Sequence, residues 1–544
     1  MHAGIQTIGV IRLHRLGDIL QTVAVLQNIR SAYPQAHLTL ITSQQFSYLL
    51  EQFTHIDELI CIDTNDIKNL SVEQLCQIDV DANPHDLPSS LNLLRHFNFD
   101  LLVNLHADPY VAWLTGHIKC QELRGRKLLP NGGMALKGKW LFYFAACVRH
   151  RELALTNIVD IWSLLAGAKP LPALRYKLHT DFDAKTTLGL QHNRINIALQ
   201  PGSADPHRRW PPEYFIQFAK QIAQHIPTRF IVLGSKDEAE QCRKIAEGIG
   251  QDAINASGYN LLETAKILSC TKLFLTGDTG PMHLAALLGT RIMPLYFGRT
   301  IPAETGPYTN QAISLISPIS GQLPRHEAQG QDSDAPTQMR PEFVVNAALW
   351  ALQTNLREVD LQKHPLRFMG GLAGSKAYVS QFNPNTAKFE QHALHYDSAQ
   401  VEEIKTAMCA FLFFRYWQHL PEWNTRDQGP LQIKIDLAFE ASELICATQR
   451  ALGDYSEGSS QQAISALLED IKTIQNVFST NDKTQMMSRT NDDGAFSFLV
   501  DLNKILTSTT LLSQEPIPVD DILMNFIGIT EKILHASQGI NPQD

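Results

Sequence analysis

The sequence predicts two consecutive α/β domains with parallel sheets, followed by an all-α helical domain. Three observations lead there: short apolar runs alternate with helical spacing in two blocks, a proline-containing, strand-poor stretch at 170–181 separates the blocks, and beyond residue 399 only helical periodicity remains. Length agrees, because 544 residues exceed one core and domains usually hold about 100–200. The expected boundaries are 1–180, 181–358 and 359–544.

The first block opens with a strand at 6–13, a turn at 14–17, and a helix marked by Ile19, Leu20, Val23, Leu26 and Ile29. Apolar runs at 38–41, 58–62 and 99–105 follow, each far enough from the last for a crossover helix. The second block is more regular. Strands at 195–199, 229–233, 272–275 and 291–297 accompany helices at 212–225, 237–249, 261–269 and 280–288. Residues 317–340, rich in Pro, Gly, Gln, Asp and Ser, read as a mobile loop before a helix at 341–354. After an irregular stretch at 361–396, five helical patterns near 399–418, 432–451, 460–478, 494–511 and 518–536 suit a small bundle. Ligands of open α/β sheets bind outside the carboxyl ends of the strands, so two such domains are expected to face each other across a binding cleft.

Composition narrows the function classes. Apolar residues make up 44% and charged residues 19%, an ordinary globular balance that excludes a fibre or a disordered tail. From Asp360 onward there are 14 lysines and arginines against 23 acids, so the whole −9 net charge resides there. Such a surface repels nucleic acid and anionic lipid. The eight cysteines form no Cys-x-x-Cys pair and no zinc spacing, which fits a reducing compartment. No secretory signal and no run of ~20 apolar residues is seen. A cytoplasmic protein is expected, peripheral at most to an inner membrane.

Three segments carry candidate chemistry. Thr276-Gly277-Asp278-Thr279-Gly280-Pro281-Met282-His283 joins a strand directly to a helix, with Thr279 placed to cap, Pro281 in the first turn and Gly289 at the end. Its first-turn N–H groups and helix dipole suit phosphate, although a capped helix start is by itself an ordinary feature. Gln200-Pro201-Gly202-Ser203-Ala204-Asp205-Pro206-His207-Arg208-Arg209-Trp210 is a glycine-containing loop with two arginines, whose planar donor forks match diphosphate oxygens. The plain alternative is an exposed basic loop with Trp210 packed on the sheet. Arg12-Leu13-His14-Arg15-Leu16-Gly17-Asp18 puts a carboxylate at the first strand-to-helix turn, where a helix cap is the plain alternative.

Together and in this order, these segments resemble the hallmark motifs of the ADP-heptose:lipopolysaccharide heptosyltransferases, glycosyltransferase family 9. Gly234-Ser235-Lys236-Asp237-Glu238, Phe297-Gly298-Arg299-Thr300 and Gly306-Pro307-Tyr308 support the likeness, which covers residues 5–355. The resemblance implies a GT-B fold: two Rossmann-like domains around a cleft, the first for the acceptor and the second for the nucleotide sugar. It also implies that Asp18 is the general base of an inverting transfer, without cofactor or metal. Arg208 would stabilise the departing diphosphate. Ser203, Arg209, Glu238, Asp278, Thr279, Gly280, Pro281 and His283 would hold the donor. By position rather than by resemblance, His106 and Asp108 just after the strand at 99–105 point toward the cleft, and His14, His106 and Arg124 are the expected contacts to a glycan or glycolipid acceptor, with plain loop or surface residues as the alternative. Proton transfer must accompany attack, since a carboxylate is far too weak a base to ionise an alcohol beforehand.

The sequence departs from the family in three ways. Arginine stands at 208 where lysine is frequent, the 317–340 loop has no cysteine, and the acidic extension is extra. That extension suggests a protein partner or protein acceptor. The basic aromatic run 124–151 offers a surface to an anionic glycolipid or membrane face, or simply a solvated face over a buried helix. Asp79-Val80-Asp81 has the form of a metal-binding Asp-x-Asp but sits in a connecting segment, where coincidence explains it. Another nucleotide-activated sugar, an epimerase activity and a non-catalytic glycan-binding role are the competing readings.

Overall fold

The computed structural model describes residues 4–53, 55–79, 87–149, 156–173, 175–203, 205–297, 300–317, 335–353, 376–383 and 388–393. The five helical patterns beyond 399, most of the 317–340 loop, Arg299, and the Val80 and Asp81 of the Asp-x-Asp segment lie outside them. Two compact units separate. One comprises Met1–Ala135 with Thr156–Tyr396 and contains the body of both sheets; the other includes Leu136–Leu155. In the latter the helix Lys139–Arg149 holds the Trp140 ring edge-on to Tyr143 at 5.6 Å.

The first sheet is built from β1 (Thr7–Ile11), β2 (His37–Ser43), β3 (Glu58–Ile62), β4 (Asn98–Asn104), β5 (Lys119–Leu128) and β6 (Met134–Lys137), in the order β3-β2-β1-β4-β5-β6. The second has β7 (Ile195–Gln200), β8 (Thr228–Gly234), β9 (Ala253–Ser257), β10 (Leu273–Gly277), β11 (Ile292–Tyr296) and β12 (Ile313–Ile316), ordered β9-β8-β7-β10-β11-β12. The central pairings are parallel: β1 with β2 and β4, and β7 with β8 and β10. Both orders reverse beside their first strand, at the switch point where doubly wound sheets bind ligands. These are two parallel-dominated α/β sheets, consistent with a GT-B-like fold.

Central strands such as Leu273–Gly277 and Ile292–Tyr296 are buried throughout, which is why they read as unbroken apolar runs. Three elements departed from that rule and were not expected. β5 mixes Lys, Gln, Glu and Arg along its length, and β9 is made of small and polar residues. An antiparallel hairpin, β13 (Lys376–Asn383) and β14 (Lys388–Ala393), extends the second sheet from β12, inside the stretch read as irregular.

The helix Leu16–Ala32 is buried at every residue from Ile19 to Ile29, polar ones included. It can be so because it is covered on several sides. Asn28 Nδ2 donates to Ser163 Oγ at 2.8 Å, and Gln27 Nε2 donates to the Pro172 carbonyl at 3.2 Å. A second pin joins the lobes where the Tyr308 hydroxyl donates to buried Asp160 (2.8 Å) and the Leu171 carbonyl (2.9 Å). Burial, then the Asp160 charge, pushes that phenol well above its ordinary value.

The core of the second lobe gathers Trp210, Phe215, Phe218, Phe230 and Phe343, with the Trp210 indole N–H donating to the Met339 carbonyl at 2.8 Å. Trp210 thus packs inward, as the plain reading of its loop had it. Gly289 ends the helix Gly280–Leu288 in a left-handed conformation (φ 68°), as expected, and a Cβ there would run into the Arg175 side chain. Gly289→Ala is expected to lower stability by about 1–2 kcal/mol, read as a fall in the urea midpoint by circular dichroism; an unchanged midpoint would contradict the assignment.

Candidate active site

Four loops leave the carboxyl ends of the strands that flank the two switch points. β1 leads to Arg12–Asp18, β4 to His106 and Asp108, β7 to the 200–210 loop, and β10 to Asp278–His283. The first and last of these meet. A Cβ on Gly17 would lie 2.9 Å from His283 Cδ2, and one on Gly280 would lie 2.7 Å from Leu16 Cδ2. Only the missing side chains let the helix starts Leu16 and Gly280 approach so closely.

Neither of these opposed helices begins with a side-chain cap. Arg15 occupies the N-cap of the first with φ 64°, the positive-φ non-glycine position among the described residues. Thr279 occupies the N-cap of the second with no capping hydrogen bond, its hydroxyl lying instead 3.2 Å from that of Thr276. Thr279 therefore does not cap as expected. Elsewhere Asn260 and Ser71 form complete capping boxes. Uncapped first-turn N–H groups and the positive dipole end make an anion-receptive surface.

Asp18 is not a helix cap either. It lies inside the first turn, half-buried, paired with Arg12 NH2 at 2.5 Å. Arg12 also donates to the Leu105 carbonyl, which ties β1's exit to β4's exit. Across the contact, His283 is buried with no partner for Nδ1. Burial holds its imidazole below the ordinary value, while the Asp278 and Asp18 carboxylates oppose the shift. One carboxylate from each lobe thus faces the same histidine.

Asp278 accepts from Thr300 Oγ1 at 2.7 Å and pairs with Arg208 NH1 at 3.4 Å. Arg208 Nε is 3.5 Å from Asp205, whose other carboxylate oxygen accepts from the His207 N–H and fixes the short 3₁₀ turn Pro206–Arg208. Arg209 turns its Nε and NH2 onto the Ser203 carbonyl (2.8 and 2.6 Å) and so braces the loop. Glu238 accepts from the Ser235 N–H at 2.8 Å and lies against Gly202, where a Cβ would collide with it. Ser203, Arg209 and Glu238 share the wall of a cavity of about 620 Å³. Pro281 occupies the first turn of its helix.

On the first lobe, His14 hydrogen-bonds the Tyr110 hydroxyl, and the His14 and His106 rings meet edge-on at 5.6 Å. His106 Nδ1 is 3.1 Å from Asp108, and its Nε2 is buried without a partner. Burial, reinforced by the positive charges of Arg12, Arg15 and Arg126, lowers its pKa to about 3. Burial likewise lowers His14, Asp108 opposing. Both imidazoles are neutral hydrogen-bonding groups at neutral pH.

Arg124 is not gathered with them. Its Nε meets Glu122 at 2.6 Å and its NH1 donates to the Leu165 carbonyl at 3.2 Å. Two positions on the same strand separate it from Arg126, whose NH1 donates to the His106 carbonyl at 3.4 Å. Sequence reasoning named Arg124 and missed Arg12, Arg126 and Tyr110. Simple alternation along β5 puts Arg124 and Arg126 on one face, so strand periodicity alone does not tell them apart; Gly125 between them takes a φ of 121°. No helix among the described residues is long and apolar enough to cross a membrane.

Comparison with known proteins matches this architecture. The profile of glycosyltransferase family 9 (heptosyltransferase) matches residues 91–333. The lipopolysaccharide core heptosyltransferase OpsX of Haemophilus influenzae is 25% identical over 307 residues, 55% of this chain and 81% of that protein. A glycosyl transferase family 9 crystal structure from Veillonella parvula superposes with a TM-score of 0.51 at 22% identity, covering 65% of this chain and 99% of that one, which supports the fold. Lipopolysaccharide heptosyltransferase 2 of Escherichia coli K12 is 30% identical over 317 residues, 56% of this chain and 86% of its own length; the chain accordingly belongs to glycosyltransferase family 9 (heptosyltransferase) and is a glycosyltransferase.

Proposed function

We propose that the chain transfers a heptose from ADP-heptose to a lipopolysaccharide-core type glycan in an inverting, GT-B manner, with Asp18 as general base and no resident cofactor or metal. One observation carries this reading: a carboxylate from the first lobe and an uncapped helix start from the second meet at the Gly17–His283 contact. The names of the relatives from Haemophilus influenzae and Escherichia coli K12 supply the sugar and the acceptor class.

In the proposed step the acceptor oxygen bonds to the anomeric carbon from the face opposite the diphosphate, and the bond from that carbon to the diphosphate oxygen breaks. The acceptor proton passes to an Asp18 oxygen as the new bond forms. Arg12 orients that carboxylate. The electron pair leaves with ADP, whose negative charge falls on Arg208 and the first-turn N–H groups at Gly280. Before the donor arrives, Arg208 is held by Asp278, so binding exchanges one anionic partner for another. His283 Nδ1 is available to a donor hydroxyl, Ser203, Arg209 and Glu238 line the cavity for the nucleoside side, and neutral His14 and His106 meet the acceptor by hydrogen bonds rather than by charge.

Asp18→Asn is expected to lower kcat by about 10²–10⁴-fold in a transfer assay with ADP-heptose while ADP affinity stays unchanged; activity close to the parent's would remove Asp18 as the base. Arg208→Ala is expected to weaken ADP binding about tenfold by calorimetry, a value at the low end because the guanidinium is partly solvated. An unaltered dissociation constant would take Arg208 out of the donor site.

His106 gives a pH signature. Its folded value of about 3 lies below the ordinary 6.5, so between the two the unfolded chain holds more protons. Its contribution to stability is full above about 6.5 and is lost as pH falls, by about 1 kcal/mol per unit. In urea unfolding, His106→Gln should therefore lose less stability than the parent between pH 7 and pH 5; parallel losses would show that His106 is not held neutral.

A further inference from the structure

At the opposite end of the second sheet from the catalytic loops lies a hollow of about 830 Å³, within the ~300–1,000 Å³ range of small-molecule sites. It is formed where β7, β10 and β11 begin and where the helices Leu261–Ser269, Gly280–Leu288 and Pro341–Gln353 end. Arg175, Lys177, Lys266, Lys272 and Arg291 line it, with no carboxylate among the described lining residues. Helix ends explain part of this charge, since Arg291 donates to the Ala351 carbonyl. Three helix ends supply only roughly half a negative charge each, too little for Lys177, Lys266, Lys272 and Arg291 in one hollow.

Two further groups on its wall point to an absent partner. Arg291 Nε and the Tyr176 hydroxyl are both buried and make no hydrogen bond. Buried donors are ordinarily satisfied, by protein or by a bound molecule. The geometry points to a binding site for a compact, multiply phosphorylated anion in this hollow, separate from the donor site. A soluble anion fits better than a bilayer face, because the cations line a concave hollow rather than an exposed flat surface.

The site also sits on the joint between the lobes. The Tyr176 N–H donates to the Leu287 carbonyl of the second lobe at 2.8 Å, while its ring packs edge-on against Phe53 of the first at 4.8 Å. An anion there would hold the connecting segment against the second lobe and so act on how the two lobes meet.

The test is calorimetric titration of the full chain with inorganic pyrophosphate, in the parent, in Arg208→Ala, and in Lys266→Ala/Lys272→Ala. Two binding events are expected in the parent. Arg208→Ala should keep one of them; the double lysine variant should weaken that one about tenfold or more and leave the KM for the sugar donor unchanged. Higher KCl should weaken it further, and Lys272→Arg in the Lys266 background should restore more of it than Lys272→Ala does. A single event abolished by Arg208→Ala, or titrations indifferent to both lysines, would overturn the proposal. So would co-sedimentation with phosphatidylglycerol vesicles that depends on these lysines while pyrophosphate binding does not.

Discussion

The two lobes meet at a contact between helix starts where a Cβ on Gly17 or Gly280 would crowd a side chain of the other lobe. At 2.7–2.9 Å from Leu16 and His283, an added methyl would force those side chains to shift. Everything placed around that contact inherits its precision. Asp18 follows Gly17 by one residue and His283 lies three beyond Gly280, so the helical geometry of each lobe brings its candidate side chain near the point where the lobes touch. The buried Tyr308–Asp160 bond holds the same interface away from the site, and the helix Leu16–Ala32 is buried from Ile19 to Ile29.

Charge is distributed unequally around this contact. On the first lobe burial keeps His14 and His106 neutral, helped by Arg12 at both and by Arg15 and Arg126 at His106, so positive charge there is carried by guanidinium groups. On the second lobe Arg208 and Thr300 converge on one oxygen of Asp278. In the proposed reaction a diphosphate would meet a helix start that no side chain caps and would take Arg208 from Asp278.

Much of the scaffold was legible because buried parallel strands and amphipathic helices have strong periods. The helices Pro212–His225, Leu261–Ser269 and Gly280–Leu288 fall where their spacing puts them. Legibility failed where burial is one-sided or the residues are polar: β5 and β9 carry little apolar signal, and the hairpin β13–β14 lies beyond a long irregular stretch. The site followed the same division. Residues inside compact motifs, such as Asp18, Arg208 and Asp278, were readable, and the structure brings them to one place. Arg12, Tyr110 and Arg126 join them only through the adjacency of β1, β4 and β5, which no local pattern contains. Arg124 was named from composition, and its neighbour two positions on is the one that reaches His106.

Arg15 shows how the site departs from local preference. A left-handed φ in a residue with a Cβ costs about 1–2 kcal/mol relative to glycine, yet arginine stands there. The chain must reverse sharply between β1 and the helix that begins at Leu16, and the positive φ achieves that turn while leaving the N-cap without a side-chain oxygen. A serine or aspartate cap would add stability by occupying the first-turn N–H groups, and it would add negative or competing hydrogen-bonding character beside Asp18. Arginine instead contributes positive charge toward His106 from an exposed side chain. The turn is therefore less stable than it could be, and the N–H groups it leaves open face the place where the two lobes meet.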